Sequence, residues 1–531
     1  MGCQCSQPDG NAIVPPMNPI EEIHNKLTEF ESLKEQGRLM PDTALAIAAR
    51  AAELVITQHQ TGAGCLREAV HLICRIATDE TPEIARAGIT ALFPQVVERL
   101  NDSFEPAACQ LYDQLFAQVI EFCRRLPEGE RLDEGLKQFG LLTESDLLVR
   151  KSKIQNPKPK TPTPNSHLLT PLKVLLLSRV TIGADVAVTS AIIAKLGQAF
   201  PQAEFVILGS RKLRELYGGD SRIRIHEISY ERGGSLIARL TSWLDVVAAV
   251  NEEWQGFSKE NLWVIDPDSR LTQLGLLPLV ENDHNYFFFE SRSYQPNCES
   301  KSIGQLTVDW AGKLVGNHES AYPFVALPKE HQQFGQSIIT GIQNPKSKTQ
   351  NRIVTVSFGV GGNHSKRVSA EFEQQLVEHL LTDSKLILDK GATPEEREQI
   401  NHIVAIVRAA GKIVVELSEA SKVESSLESL RQADVVTWDG SIGAFAGLIA
   451  ASDEYIGYDS AGQHIAAALG VPTLTVFVSS NSATFAERWR PFGKGRIDVV
   501  NVEAGKLKMA ESVLDSAIEL HRKMKSDRIR R

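Results

Sequence analysis

Two kinds of apolar spacing divide the chain. Over residues 19–153 apolar positions recur every three or four residues with few turn residues between them, the period of helices that bury one face. Segments 42–60, 82–100 and 106–125 are the clearest; Asp42 and Thr81 suit N-caps, and Pro82 and Pro106 stand where a first helical turn tolerates proline. Beyond residue 171 the pattern changes to short apolar runs separated by amphipathic stretches. Runs at 172–177, 204–208, 223–228, 262–265 and 286–289 predict five strands with helices between them. A second series begins at 353–358 and continues at 385–388, 413–416, 435–438 and 455–458, with another buried strand ending at 478. Alternation of this kind predicts doubly wound parallel sheets, whose ligands gather at the carboxyl ends of the strands. The expectation is an α/β protein with two tandem doubly wound, Rossmann-like domains preceded by an all-α domain.

Composition adds boundaries. A chain of 531 residues is too long for one core. Residues 151–166 (KSKIQNPKPKTPTPNS) are rich in proline and lysine and predict a semi-extended linker, and a near copy at 342–350 precedes the second strand series. The expected division is 1–18 as a disordered N-terminus, 19–150 as the helical domain, 151–171 as linker, 172–335 as the first α/β domain and 336–531 as the second. Residues 320–351 read as the connection between the α/β halves. Met1 to Ser6 fits an N-myristoylation pattern but is read as part of the disordered end.

With 42% hydrophobic and 23% charged residues, the composition is that of an ordinary soluble protein, and a net charge of -9 argues against a nucleic-acid binder. No apolar run approaches the roughly 18 residues that span a bilayer, so the expected location is cytoplasmic, with at most peripheral contact at the inner face of a membrane through the basic C-terminal tail. The seven cysteines lack paired metal-ligand spacing and read as reduced thiols.

Candidate chemistry centres on residues 454–478, EYIGYDSAGQHIAAALGVPTLTVFV, a strand, turn, helix and strand. Asp459 and Ser460 are good N-caps, Gly470 ends the helix, and Gly462 leaves room for a ligand at the first turn, where unpaired amides and the helix dipole favour phosphate. His464 shares the face of Ser460; Asp459 as a plain cap and His464 as an ordinary buried histidine is the alternative. The strand at 353–358 enters a glycine-rich loop containing Gly361, Gly362 and Lys366, a combination suited to a diphosphate. Asp185 stands at a strand end in the first half, with Arg179 in the same loop. Asp185 reads equally as the cap of the helix it begins. Asp266 and Asp268 read as turn residues.

The stretch from Asp459 resembles the donor-binding signature of glycosyltransferase family 9, the heptosyltransferase-like enzymes, whose pattern is Asp-Ser/Thr-Gly-x-x-His followed by a small-residue helix and Gly-x-Pro. Asp459, Ser460, His464 and the Gly-Val-Pro at 470–472 match, while Ala461 replaces the usual glycine and Gly462 a large apolar residue. The family also carries Gly-Asp with a threonine four residues after the aspartate; here Ala184 is inserted between Gly183 and Asp185, and Thr189 keeps the later spacing. Lys366 matches the family lysine, with Val368 where an aromatic residue is usual.

The resemblance covers residues 172–505 and implies the two-domain B-type glycosyltransferase fold. It implies an inverting transfer from a nucleotide-diphosphate sugar, ADP-heptose-like, to a saccharide or glycolipid acceptor of the cell envelope, as in lipopolysaccharide biosynthesis, needing no metal or other cofactor. Asp185 would be the general base and Arg179 an acceptor-binding residue. Gly361, Gly362, Lys366, Asp459, Ser460, Ala461, Gly462 and His464 would bind the donor, with Glu395, or failing it Glu396, on the ribose. The helical domain is expected to serve packing or a protein partner. Two other classes stay open: a nucleotide-sugar epimerase or hydrolase of the same fold, and a non-catalytic nucleotide-sugar-binding module.

Overall fold

The computed structural model describes residues 18–60, 66–154, 171–230, 234–258, 261–281, 283–295, 300–343, 352–419, 423–479, 483–503 and 510–529. The expected disordered end apart from Asn18, the acylation pattern at Met1 to Ser6, and most of both proline-lysine segments lie outside the described residues.

Five strands form the first sheet: β1 (Lys173–Leu177), β2 (Glu204–Gly209), β3 (Ile223–Glu227), β4 (Leu262–Asp266) and β5 (Tyr286–Phe288), all parallel, in the order β3-β2-β1-β4-β5. Seven form the second: β6 (Arg352–Ser357), β7 (Ser384–Asp389), β8 (Val414–Ser418), β9 (Val435–Asp439), β10 (Glu454–Tyr458), β11 (Thr473–Ser479) and β12 (Ile497–Glu503), again all parallel, in the order β12-β11-β10-β6-β7-β9-β8. The strands β1 and β10 are buried along their whole length, which is why they read as unbroken apolar runs. In register, Val174 lies between Phe205 and Trp263, and Ile456 between Val356 and Leu474. Two parallel sheets in tandem, each wrapped by helices and preceded by a helical region, are the expected B-type architecture.

Alternation along the strands of the first sheet assigns its two faces. Leu175, Leu177, Val206 and Leu208 join one apolar cluster with the helical region, including Leu115, Leu132 and Leu147. Val174, Leu176, Phe205 and Ile207 point the other way, into a cluster that continues through Phe445 and Leu448 of the second half. The helical region is thereby packed as one outer layer of the first sheet.

Several expected elements shift. Residues 82–103 are not one helix: Pro82–Thr90 is α-helical, Ala91–Val97 is a π-helical stretch around Pro94, and Glu98–Ser103 is α-helical again, because proline has no N–H to donate and obstructs the preceding turn. Asp42 lies inside the first turn of Pro41–Gln60 rather than capping it. Helix Glu144–Ile154 runs past the expected linker start, and Lys151 in it is buried, with its ammonium 4.1 Å from the Phe288 ring centre. The expected connection contains helix Lys329–Ile342, which packs against helix Ile442–Ala451. Strand β12 was not anticipated. The basic tail lies in helix Ala510–Ile529, where Lys525 reaches Asp383 at 2.7 Å and His521 is buried against Glu454 at 2.8 Å. Among the described residues no helix is long and apolar enough to cross a membrane.

The contact of those two helices rests on paired glycines. A Cβ at Gly335 would lie 2.0 Å from the Gly447 carbonyl oxygen, and one at Gly447 would lie 2.0 Å from that of His331. Both obstacles are backbone, so the helices would have to separate. Gly335→Ala is therefore expected to destabilise the protein by about 1–3 kcal/mol, read as a lower denaturant midpoint at unchanged slope; an unshifted midpoint would mean that this contact is not needed.

Candidate active site between the two sheets

The carboxyl ends of both sheets face one cleft of about 670 Å³. Its floor on the second half is the stretch after β10. Helix Ala461–Leu469 follows with Ser460 at its N-cap, but no side chain caps the first turn, because Asp459 is engaged elsewhere. The Asp459 carboxylate takes Lys366 Nζ at 2.6 Å on one oxygen and Gln463 Nε2 at 2.7 Å on the other. Burial alone would pull the Lys366 ammonium down, but Asp459 overcomes it and holds it above its ordinary value. Ser460, Ala461, Gly462 and His464 all line the cleft.

Gly462 has a different reason from the one expected. A Cβ there would lie 2.2 Å from the Tyr455 hydroxyl, so the glycine makes room for a buried phenol beneath the helix rather than for a ligand above it. Gly183 of the first half does abut this helix: a Cβ on it would lie 3.2 Å from Ala461 Cα and 3.3 Å from His464 Cδ2. His464 is buried, stands edge-on to Trp489 with ring centres 6.1 Å apart, and has its Nε2 3.3 Å from Gln463 Nε2. Burial pushes its imidazole down to about 4, with the Lys366 charge adding to that effect against the Asp459 carboxylate.

The glycine-rich loop after β6 carries positive φ at Gly361 (62°) and Gly362 (82°). Gly361 and Lys366 line the main cleft; Gly362 lines a side opening against the helical region instead. Glu396 holds the loop: one carboxylate oxygen accepts Val360 N at 2.7 Å and Gly361 N at 3.0 Å, the other Ala392 N at 2.8 Å and Thr393 N at 3.1 Å. Burial would raise this carboxyl, yet the backbone donors keep it below its usual range. Glu395, the first choice for the ribose, is exposed and outside the cleft lining, because the capping box of helix Pro394–Ala409 turns Glu396 inward and Glu395 outward. Asp389, at the end of β7, lines the cleft; it accepts from Ser357 Oγ at 2.9 Å and is pushed up to about 6 by burial.

On the first half, the loop after β1 holds Arg179, and Val180 adopts a left-handed φ of 72°, a strained conformation for a β-branched residue. Arg179 lines the cleft, donates to Ser291 Oγ at 2.6 Å and has its guanidinium 5.9 Å from the Trp489 ring centre. Burial, with Arg292 nearby, pulls it down to about 9. Asp185 is not brought into the cleft. It is 1% exposed, and its carboxylate accepts Ser178 Oγ at 2.6 Å, Arg179 N at 2.7 Å and Thr189 Oγ1 at 2.9 Å. Burial raises it to about 6 against those donors, and the residues that line the cleft run only from Thr181 to Ala184 in this loop. The inserted residue is absorbed by a π-helical turn over Asp185–Thr189, which keeps Thr189 over Asp185 while turning the carboxylate toward the end of β1.

Sequence reasoning missed three contributions. Asp268, set aside as a turn residue, is a buried cleft residue at φ 65° that accepts from Ser291 Oγ at 2.9 Å and is ion-paired with Arg292. Burial would raise its carboxyl, but Arg292 and Arg179 hold it below the usual range. Aromatic residues Phe485 and Trp489 form a wall, with Lys366 Nζ 5.5 Å from the Phe485 ring centre. The helical region reaches in as well, through Glu98, Asn101 and Asp102. Its apolar positions gave the helices but no sign of this. Among the described residues no cluster of three or more His, Cys, Asp or Glu could hold a metal ion.

His464 supplies a pH test. Its folded-state pKa lies below the ordinary 6.5, so the unfolded chain binds the extra proton first; its contribution to stability is complete above pH 6.5 and is lost as pH falls toward 4. The stability advantage of the wild type over His464→Gln should therefore shrink between pH 6.5 and 4 in urea unfolding, and the His464 ring resonances should stay those of neutral imidazole down to about pH 4. An ordinary titration near 6.5 would contradict the buried position.

Residues 415–514 match the family model described as glycosyltransferase family 9 (heptosyltransferase). No curated relative matches the chain. Among solved structures it is similar to a family 9 glycosyl transferase from Veillonella parvula DSM 2008, at 14% identity over 65% of this chain and 90% of that one with a TM-score of 0.45. It is also similar to the E. coli heptosyltransferase WaaC with ADP, at 16% identity over 65% and 99% with a TM-score of 0.44. Through residues 415–514, which carry the uncapped helix, Asp459 and His464, the chain belongs to glycosyltransferase family 9.

Proposed function

We propose that the protein is an inverting glycosyltransferase that moves a sugar from a nucleotide-diphosphate sugar, with an ADP-heptose-type donor the first to test, onto a saccharide or glycolipid acceptor of the cell envelope. The observation that carries this reading is the convergence of Lys366 with the uncapped N-terminus of helix Ala461–Leu469 at one end of the cleft. A half-buried ammonium and unpaired helix amides stabilise the charge that builds on a departing diphosphate, and they do so without reorganising during the reaction. Phe485 and Trp489 give the donor an apolar wall that excludes water, which would otherwise hydrolyse it. Asp389 at the end of β7, rather than Glu395, is the carboxylate positioned for a donor hydroxyl on this half. Arg179, Arg270 and Arg292 make the opposite side cationic, which suits an anionic acceptor.

A second reading, a nucleotide-sugar-binding module without transfer, is favoured by the three donors that occupy the Asp185 carboxylate.

Thermal unfolding with ADP-, GDP-, UDP- and dTDP-sugars tests the donor half. A ligand at a hundred times its dissociation constant adds about 2.7 kcal/mol, so one nucleotide class should raise Tm clearly. Lys366→Gln should abolish that rise, and Glu395→Gln should leave it intact. If no nucleotide sugar shifts Tm, the donor site does not exist. Analysis of products then separates transfer, which yields a nucleoside diphosphate and a glycosylated acceptor, from epimerisation or binding alone.

A further inference from the structure

We infer that the helical region supplies the proton acceptor of the reaction: the Asp102 carboxylate takes the acceptor hydroxyl proton, and Asn101 beside it holds an acceptor oxygen. This rests on the transferase reading above.

The carboxylates around the cleft are mostly spoken for. Asp459 holds Lys366, Asp268 holds Arg292, Glu396 is filled by backbone amides, Asp389 takes Ser357, and Glu215 accepts Gly443 N at 2.8 Å. Asp185 faces inward with three donors. Glu98 and Asp102 remain, both on helix Glu98–Ser103, and among the described residues neither carboxylate has a hydrogen-bond or ion-pair partner. Glu98 is exposed, whereas Asp102 is half-buried.

A second observation points to a ligand at the same place. Asn101 is 5% exposed and lines the cleft, yet its amide nitrogen has no hydrogen-bond partner. Leaving such a donor empty costs about 1–3 kcal/mol, which a bound hydroxyl would recover. The backbone that presents both residues is itself unusual. Phe104, directly after this helix, is 2% exposed at a left-handed φ of 56°, with its ring 6.4 Å from that of Trp489 and its carbonyl accepting from Gln295 Nε2 at 3.3 Å. An aromatic residue held in that conformation is an outlier that persists only where its surroundings impose it, and such outliers gather at functional sites.

In the step, the Asp102 carboxylate accepts the proton of the acceptor O–H, and that oxygen's electron pair forms the new bond to the anomeric carbon. The bond from that carbon to the diphosphate oxygen breaks, and its electrons leave with the nucleoside diphosphate, toward Lys366 and the helix amides. The groups facing Asp102 set its basicity. Burial raises it to about 6, Lys366, Arg292 and Arg270 oppose that, and Glu98 on its own helix reinforces it; helix Ala483–Trp489 faces it with the Phe485 and Trp489 rings. A base of that strength is deprotonated at neutral pH and close to the optimum for proton removal.

The test uses the full chain with ADP-heptose as donor probe, and either water or a bacterial envelope glycolipid extract as acceptor, following ADP release. Asp102→Asn should lower release about 100-fold or more while leaving the ADP-heptose shift in Tm unchanged, Asp102→Glu should restore part of it, and the acidic limb of the wild-type pH profile near 6 should vanish in Asp102→Asn. Asn101→Ala should raise KM for the extract with little change in kcat. Release undiminished in Asp102→Asn, or a wild type that binds ADP-heptose and releases no ADP with either acceptor, would overturn the inference. Absence of any Tm shift with the whole nucleotide-sugar panel would instead overturn the transferase reading beneath it.

Discussion

The ion pair between Lys366 and Asp459 is the constraint on which the cleft depends. Both charges sit partly out of water, and desolvation of that kind costs several kcal/mol per ion unless each finds its partner and its remaining hydrogen bonds. Here Gln463 takes the second Asp459 oxygen, and Glu396 fastens the glycine loop that presents Lys366. The ammonium is therefore already in place before a diphosphate arrives. Because Asp459 is used in this way, it cannot cap the helix behind it, and the helix amides stay open to the cleft. One pairing thus supplies both halves of an anion site.

Glu396 shows the same economy in the backbone. Four N–H groups from two separate turns converge on one carboxylate, so the loop after β6 and the start of helix Pro394–Ala409 move as one body. The amides of Val360 and Gly361 are consumed by that carboxylate, which leaves the charge of Lys366, more than the loop's own N–H groups, to meet a phosphate.

The sheets were legible because their central strands are buried on both faces and read as continuous apolar runs; eleven strand positions followed from that pattern alone. Strand β12, at an edge, alternates polar Asp498 and Asn501 with Val500 and Val502, and such alternation over a short run resembles a loop. The choice of Glu395 over Glu396 was avoidable, since Thr393-x-x-Glu396 is a capping-box signature that turns the third residue inward. Gly462 and Asp185 were not avoidable. The first depends on a phenol seven residues back in the chain that folds underneath it, and the second on how one inserted residue is absorbed. Nothing local in the helical segment could reveal that Asn101 and Asp102 meet Lys366 in space, because that proximity is made by packing across domains.

That packing also decides what the helical region is. Its leucines share one continuous apolar cluster with Leu175, Leu177, Val206 and Leu208 on the face of the first sheet, so its removal would expose a sheet face that parallel sheets do not leave to water. Two π-helical turns border the cleft, Ala91–Val97 on the helical side and Asp185–Thr189 on the sheet side. An added residue would rotate everything after it by about 100° along an α-helix, and a widened turn confines that rotation to itself. On the sheet side the result is a carboxylate turned inward and fully occupied. On the helical side the widened turn around Pro94 precedes the short helix that carries an unpaired carboxylate and an unpaired amide into the same cleft. The two displacements are complementary: the first removes a candidate base from the acceptor side, and the second offers one from the layer that the first sheet cannot do without.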